Sequence, residues 1–414
     1  MSQHPAYRKT TLANGLRVVT EHIQHVRSAS IGAWVTSGSR NENEQNNGIS
    51  HYIEHMMFKG TKTQTASQIA QSLESVGGHL NAFTGKELTC YYAHVLDEHV
   101  VRAVDVISDF LANSLFDEAE MVKEKRVVLE ELSNIEETPE ELIHEIFWRD
   151  LFPNHPLGYP IIGNRSTITN IGRPDIADYL DKNYSADRVV LAAAGNVNHD
   201  KLVKLAQDRF GAFQRGSGAD YEAPVGNGKM KNVVENGSIQ AHICLGTQAY
   251  SYRDKRKFAL LVLNTFLGSG MSSRLFQNVR EKHGLAYSIY SFIDFMADTG
   301  IFGVYVGTDP DNIDGALDLI HKELRTLKES TVQNEELQRT KSQLKGNLML
   351  GLEDTSSRMN RLAKMELFLE DYFSLDDTLA EIEKVTAQEI LDVAGELFDF
   401  SRMQTTILKP AESK

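Results

Sequence analysis

Short runs of β-prone residues alternate with amphipathic helical segments along the first third of the chain. Two of the β-prone runs flank Asn14-Gly15, a dipeptide typical of type I′ hairpin turns. A further strand is predicted at 28–39 and a strand pair at 80–96. Helical periodicity predicts helices at 48–58, 67–77, 98–113 and 117–137. This mixture predicts an α+β fold, in which helices pack against a mostly antiparallel sheet.

The second half of the chain repeats features of the first half. The segment AHICLGT at 241–247 is similar to SASIGAWV at 28–35, and the segment at 302–324 is similar to 91–111. The chain is therefore predicted to contain two homologous modules, each with helices packed on one face of its sheet. A stretch with many glycines and few large apolar residues lies between the repeated segments. The predicted boundaries are a first module at 1–214, a linker at 215–229 and a second module at 230–414.

Two histidines and a glutamate occur together in His51-Tyr52-Ile53-Glu54-His55. On a helix these three polar residues share one face, with the two imidazoles one turn apart. Zinc binds two imidazoles readily, and catalytic zinc sites add one more protein ligand and a water. In an H-x-x-E-H motif the glutamate can act as general base towards that water. The pattern predicts a zinc site with His51 and His55 as ligands and Glu54 as the base.

The matching helix of the second module lacks this polar triplet. At an offset of 208 residues, Ala259, Val262 and Leu263 stand opposite the two histidines and the glutamate. The helix is expected to persist there, but its apolar side chains provide no metal ligand. The first module is therefore predicted to be catalytic and metal-binding, and the second non-catalytic.

A third metal ligand is expected from an acidic residue on another element. The predicted helix at 117–137 carries several such residues. They are Glu124, Glu130, Glu131, Glu136 and Glu137. Spacing alone does not choose between the neighbours Glu130 and Glu131, and an acid-rich helix is by default a solvated surface.

Four segments carry a resemblance to a known family. They are GISHYIEHMMFKGT at 48–61, LNAFTGKELTCYYAHV at 80–95, EKRVVLEEL at 124–132 and SSRLFQNVREKHGLAYSI at 272–289. Through them, and over essentially the whole chain, the sequence resembles the M16, or pitrilysin, family of zinc peptidases, and in particular its bacterial members similar to mitochondrial processing peptidase. The resemblance implies one zinc ion per chain with Glu131 as the third ligand. It also implies that Glu124 supports the site as a second acid.

The resemblance further implies how a substrate is held. An extended peptide is expected to pair with the strand that contains Asn81, Ala82 and Phe83, so that main-chain hydrogen bonds provide affinity. Arg280 and Tyr287 match a family pair that binds the substrate carbonyl and stabilises the oxyanion. The implied activity is zinc-dependent endopeptidase cleavage of extended or unfolded peptides, by metal-activated water with a glutamate base.

The resemblance also implies a dimer, in which Arg280 and Tyr287 of one chain complete the site of the other. A homodimer is expected, and a heterodimer with an inactive homologue is the alternative. Two further functions compete with the peptidase. One is a non-catalytic core or scaffold subunit of the same fold, against which the intact motif argues. The other is a small-molecule lyase, against which the repeated module and the peptide-binding strand argue.

Composition limits the partners and the cellular location that are expected for this chain. The formal net charge is −14, which argues against nucleic acid as the main partner. The chain has two cysteines, too few for a disulfide framework. No apolar run approaches the length of a membrane span, and the first residues lack the apolar segment of a secretory signal. A cytoplasmic enzyme that does not interact with membranes is therefore expected.

Overall fold

A computed structural model of the chain describes residues 6–216, 221–224 and 230–411. The strands in this part of the chain are β1 Tyr7–Thr11, β2 Arg17–His22, β3 Ser28–Val35, β4 His79–Thr84, β5 Thr89–Leu96, β6 Val189–Gly195, β7 Lys231–Asn236, β8 Ala241–Ala249, β9 Ser288–Phe295, β10 Gly300–Thr308 and β11 Gln404–Pro410. The first eight helices are α1 Ile49–Met57, α2 Ala66–Glu74, α3 Val100–Asn113, α4 Glu118–Glu137, α5 Pro139–Leu151, α6 Arg165–Asn170, α7 Arg173–Asn183 and α8 His199–Phe210. The remaining helices are α9 Lys257–Gly268, α10 Ile313–Glu329, α11 Asn334–Gly351, α12 Thr355–Leu369, α13 Leu375–Lys384 and α14 Ala387–Leu397.

The strands form two sheets with the same topology. The first sheet has the order β1-β2-β6-β3-β5-β4, and the second has the order β7-β11-β8-β10-β9. Apart from β1, each strand of the first sheet has a counterpart in the second. Each sheet contains one parallel pair, β2–β6 and β7–β11, and its other pairs are antiparallel. The predicted α+β architecture of two repeated, mostly antiparallel units is therefore confirmed.

Two helices each belong to the compact unit that is formed mainly by the other half of the sequence. The first compact unit contains 1–133, 159–222 and 351–372, and the second contains 134–158, 223–350 and 373–414. The sequence analysis instead predicted continuous modules at 1–214 and 230–414. Helix α5 packs on β8 and β11 of the second sheet, whereas α12 packs on β2, β3 and β6 of the first. Residues 217–220 and 225–229 of the predicted linker lie outside the described part of the chain.

The exchanged helices cover a second face of each sheet. In the first unit α3 packs on β3 and β5, while α12 packs where Gly32 leaves room. A Cβ atom on Gly32 would lie 3.0 Å from Met359 Sδ of α12. In the second unit a Cβ atom on Gly246 would lie 2.8 Å from Phe147 Cζ of α5. Each sheet thus has helices on one face, as predicted, and one additional helix on the opposite face. The central strands β3 and β6 of the first sheet are almost wholly buried.

The first hairpin is confirmed, but its turn is not of type I′. Leu12 N–H donates to the Leu16 carbonyl at 2.8 Å, and Gly15 N–H donates to the Leu12 carbonyl at 2.9 Å. Within this turn only Gly15 has a positive φ, 96°, whereas a type I′ turn requires one at Asn14 as well. Asn14 instead uses its side-chain amide to donate to the Phe210 carbonyl of α8 at 2.8 Å. This tertiary contact favours a three-residue loop.

Among the described residues, no helix combines the length and the apolar character that a membrane span requires. Cys90 and Cys244 are both buried free thiols.

Candidate metal centre

Helix α1 presents one apolar and one polar face. Its apolar face is buried and contains Ile49, Ile53, Met56 and Met57. The opposite face carries His51, Glu54 and His55, which are partly exposed. Tyr52, which is also buried, donates its hydroxyl to the Met121 carbonyl of α4 at 2.7 Å. This bond and the apolar packing place α4 beside α1.

Three potential metal ligands converge between these two helices. Nε2 of His51 lies 3.8 Å from Oε2 of Glu131, and Nε2 of His55 lies 3.4 Å from the same oxygen. Ligand atoms of the three side chains all lie within 4.8 Å of one another. Ligands bound tetrahedrally at the usual zinc distances are about 3.4 Å apart. The donor set and its spacing therefore fit a zinc ion.

Glu124 fixes the orientation of the second imidazole. His55 donates Nδ1–H to Oε1 of Glu124 at 2.9 Å, which leaves the lone pair of Nε2 facing Glu131. Lys59 Nζ lies 2.7 Å from the other oxygen of Glu124. Burial alone would raise the pKa of Glu124, but the hydrogen bonds from His55 and Lys59 outweigh it and lower that pKa. Glu124 is therefore an ionised acceptor, as the second-acid role requires.

The two histidines differ in their titration. Burial, together with the nearby His55, lowers the pKa of His51 to about 3. Burial alone would also lower the pKa of His55, but its bond to Glu124 and the charges of Glu131, Glu124 and Glu54 raise it. Nδ1 of His51 is buried and has no hydrogen-bond partner among the described residues. His51 is thus held neutral, the form that binds metals.

Glu54 lies beside the cluster and is tied to strand β4. Thr84 donates its hydroxyl to Oε2 of Glu54 at 2.6 Å. Burial raises the pKa of Glu54, and the charge of Glu131 adds to this, while Thr84 and His55 oppose it. A carboxylate with a raised pKa is better matched to proton transfer near neutral pH.

The two neighbouring acids that spacing did not distinguish lie in different surroundings. Glu131 lies within the cluster, with 42% of its side chain exposed, whereas Glu130 points to solvent. The two residues are 100° apart on α4, so only one can face α1. Glu136 and Glu137 are not members of the cluster.

The predicted substrate-binding residues lie on an edge strand. Within the described residues, β4 is hydrogen-bonded to β5 alone. The Ala82 N–H donates to Asn81 Oδ1 at 2.8 Å, so it does not take part in the ladder with β5. Residues of an antiparallel strand alternate between the two sides, so Leu80, Ala82 and Thr84 direct their main-chain groups to the open edge. Phe83 is 38% exposed on this strand.

Arg280 and Tyr287 belong to the second unit, unlike the histidines and glutamates of the cluster. The Arg280 guanidinium lies 4.7 Å from the Phe276 ring centroid and 6.0 Å from that of Tyr287. Tyr287 is 74% exposed. The structure brings these two residues close to each other, on a surface open to solvent.

Two supporting residues were missed by the sequence analysis. Lys59 neutralises one oxygen of Glu124, and Thr84 holds the carboxylate of Glu54. Lys59 lies two residues beyond the end of α1, so its contact with Glu124 does not follow from helical spacing. No local signal connects Lys59 with Glu124 or Thr84 with Glu54.

Two family profiles match the chain. The profile described as Insulinase (Peptidase family M16) matches residues 17–165, and the profile described as Peptidase M16 inactive domain matches residues 170–344. Together they account for well over half of the sequence.

Similar proteins agree with these matches. A Bacillus subtilis protein described as an uncharacterized zinc protease is 41% identical over 94% of this chain and 95% of its own length. A Streptomyces coelicolor protein, also described as an uncharacterized zinc protease, is 40% identical over 98% of this chain and 90% of its own length. The crystal structure of a protease from Helicobacter pylori matches with a TM-score of 0.91 at 24% identity, covering 98% of this chain and 99% of the other, and shows the same fold. The chain therefore belongs to peptidase family M16.

Proposed function

We propose that this protein is a zinc-dependent endopeptidase that cleaves extended or unfolded peptides. The observation that carries the proposal is the convergence of His51, His55 and Glu131 between α1 and α4, with Glu54 beside them. Two relatives described as zinc proteases, each about 40% identical, support the choice of metal and the class of reaction.

The chain's own residues have distinct roles in this mechanism. Nε2 of His51, Nε2 of His55 and the carboxylate of Glu131 would hold one zinc ion per chain. When bound, zinc supplies Lewis acidity that polarises the scissile carbonyl and lowers the pKa of water to about 7. Glu54 accepts a proton from the attacking water and delivers it to the nitrogen of the leaving amine. Thr84 keeps the Glu54 carboxylate oriented through its hydrogen bond.

The edge of β4 selects the shape of the substrate. An extended peptide adds to this edge as a further strand, because the main-chain groups of Leu80, Ala82 and Thr84 face outward. A folded protein does not present such a strand, so unfolded segments are preferred. Since Thr84 is hydrogen-bonded to Glu54, a strand added at this edge runs next to the base.

Arg280 and the exposed Tyr287 complete the site in this proposal. We assign them to substrate binding and oxyanion stabilisation, supplied by a partner chain in a homodimer. The exposure of Tyr287 and its position beside Arg280 support such a role. A heterodimer with an inactive homologue would use the same residues.

The proposal is tested with a quenched fluorescent peptide of unstructured sequence. We expect the wild-type protein to cleave it, a chelator to abolish cleavage and added zinc to restore it. Glu54→Gln should retain zinc and lose at least about a hundredfold in rate, since general-base catalysis typically contributes 10²–10⁴-fold. Glu130→Gln, on the solvent side of α4, is the matched control and should behave as wild type. Undiminished cleavage by Glu54→Gln would disprove the mechanism, and a zinc-loaded wild type that cleaves nothing would favour a scaffold.

A further inference from the structure

A buried carboxylate holds the start of the metal-binding helix. Glu42 is only 5% exposed, although it lies in a polar loop before α1. Its Oε2 accepts hydrogen bonds from Gly48 N–H at 2.7 Å and from Asn47 Nδ2 at 2.8 Å. Its Oε1 accepts from Ser50 N–H at 2.8 Å. Both oxygens therefore engage the first turn of α1, immediately before His51.

The first turn of α1 has few other means of satisfying its amides. Its N-terminal capping residue, Gly48, has no side chain to accept a hydrogen bond and adopts a φ of 93°. Helix starts require acceptors for their free N–H groups, and a negative charge there also interacts favourably with the helix dipole. Glu42, seven residues before Ile49, supplies such acceptors. Burial raises the pKa of Glu42, and the bonds from Gly48, Ser50 and Asn47 oppose this shift.

Neighbouring groups hold the same turn from other sides. Asn47 donates to the Pro160 carbonyl as well as to Glu42, both at 2.8 Å. The hydroxyl of Ser50 lies 2.7 Å from that of Tyr179 in α7. A Cβ atom on Gly48 would lie 2.6 Å from the Ile162 carbonyl oxygen, so the backbone is closely packed there. The position and rotation of the first turn are thus strongly determined.

The second module provides a comparison within the molecule. Helix α9 starts 208 residues after α1 and has Ala259, Val262 and Leu263 in place of the polar triplet. Seven residues before its start stands Tyr250, whose hydroxyl donates to Glu396 at 2.9 Å. The buried carboxylate is therefore present in the module with the metal ligands and replaced in the module without them.

We propose that Glu42 is a positioning residue of the metal centre, which fixes the first turn of α1 and so the direction in which His51 and His55 present Nε2 to Glu131. This inference rests on the proposed zinc site and adds a determinant of its affinity. The residue touches neither substrate nor metal, and it acts through the amides of Gly48 and Ser50.

The test compares zinc affinity, by competition with a fluorescent chelator, in wild type and Glu42→Gln. A glutamine side chain has nearly the shape of glutamate but only one acceptor oxygen, so one helix-start donor loses its partner. We expect affinity to fall about tenfold or more, the usual cost of losing a residue that orients metal ligands. Glu44→Gln, which changes an exposed acid in the same loop, is the matched control and should leave affinity unchanged. Affinities are compared at a temperature where circular dichroism shows every variant folded.

The outcomes separate positioning from simple stabilisation. A purely structural cap would lower the Tm of the chelator-treated protein and leave zinc affinity within about twofold of wild type, which would overturn the inference. If Glu42→Gln does not fold, Asn47→Ala is tested instead, because it removes one donor to the Glu42 carboxylate. A drop of a few fold in zinc affinity is then expected, and an unchanged zinc affinity would contradict the inference. If wild type itself binds no zinc, the proposed function and this inference both fail.

Discussion

His55 donates Nδ1–H to Glu124 at 2.9 Å, and the second oxygen of Glu124 lies 2.7 Å from Lys59 Nζ. The chain of contacts from Lys59 through Glu124 to His55 fixes which nitrogen of the imidazole is free. Nε2 is then the only ring atom of His55 that can bind a metal, and it faces Glu131. In neutral His55, the contact with Glu124 therefore holds the proton on Nδ1.

Glu124→Gln should weaken zinc binding about 10- to 100-fold, because an amide holds the imidazole less firmly than a carboxylate does. Chelator competition on the purified variant measures the change. Glu130→Gln, on the same helix but facing solvent, serves as control. Equal affinities for Glu124→Gln and wild type would show that the Glu124 contact does not orient His55.

Ala82→Pro should weaken peptide binding and leave zinc content unchanged. The substitution removes an N–H that faces the open edge of β4, so the pairing with β5 is retained. Loss of one main-chain hydrogen bond, about 1 kcal/mol, predicts a KM about 5- to 10-fold higher for an unstructured peptide. Ala82→Ser keeps the N–H and should behave as wild type. A KM unaffected by proline would mean that substrates do not pair with this edge.

The acid stability of the protein should depend on His199. Both ring nitrogens of this buried side chain are bonded at 2.8 Å, to the hydroxyls of Thr10 and Thr20. Burial and the charge of Arg8 lower its pKa, so the unfolded chain binds a proton that the folded protein does not. Stability contributed by neutral His199 is therefore present above about pH 6.5 and is lost as the pH falls below it, by at most about 1.4 kcal/mol per pH unit.

Denaturant unfolding between pH 5 and 8 measures this dependence. His199→Gln should show a shallower loss of stability towards low pH, while exposed His25→Gln should follow wild type. Parallel curves for His199→Gln and wild type would contradict the assignment.

Mixing two inactive variants tests whether the site is shared between chains. Tyr287→Phe should lower kcat without loss of zinc, and Glu54→Gln should do the same. In an exchanging homodimer about half of the dimers are mixed and each has one intact site, so activity should recover to about a quarter of wild type. Glu54→Gln mixed with Glu131→Gln should not recover, because both defects lie in the same unit. The absence of recovery in the first mixture would argue for a site built from one chain.

The repeat and the polar face of α1 could be predicted from the sequence because both depend on local periodicity. His51 and His55 share a helix face by spacing alone, and the apolar triplet opposite them in α9 follows from the offset of 208 residues. The choice of Glu131 over Glu130 required the resemblance to a family, because both residues are glutamates and differ only in the direction in which they point from α4.

Contacts between residues far apart in the sequence could not be predicted in the same way. The amphipathic patterns of α5 and α12 show that each helix must bury a face, but not against which sheet, so their exchange between units was not predicted. The contacts of Glu42 could not be predicted, because its partners Gly48 and Ser50 lie six and eight residues away, beyond any helical spacing. Side chains that act through tertiary contacts leave no periodic signal.

Anomalous scattering at the zinc absorption edge, from crystals grown with one equivalent of zinc, tests the central claim most directly. The account predicts a single strong peak per chain, bounded by Nε2 of His51, Nε2 of His55 and the carboxylate of Glu131. Density for zinc elsewhere on the chain, with those three side chains free of metal, would contradict it.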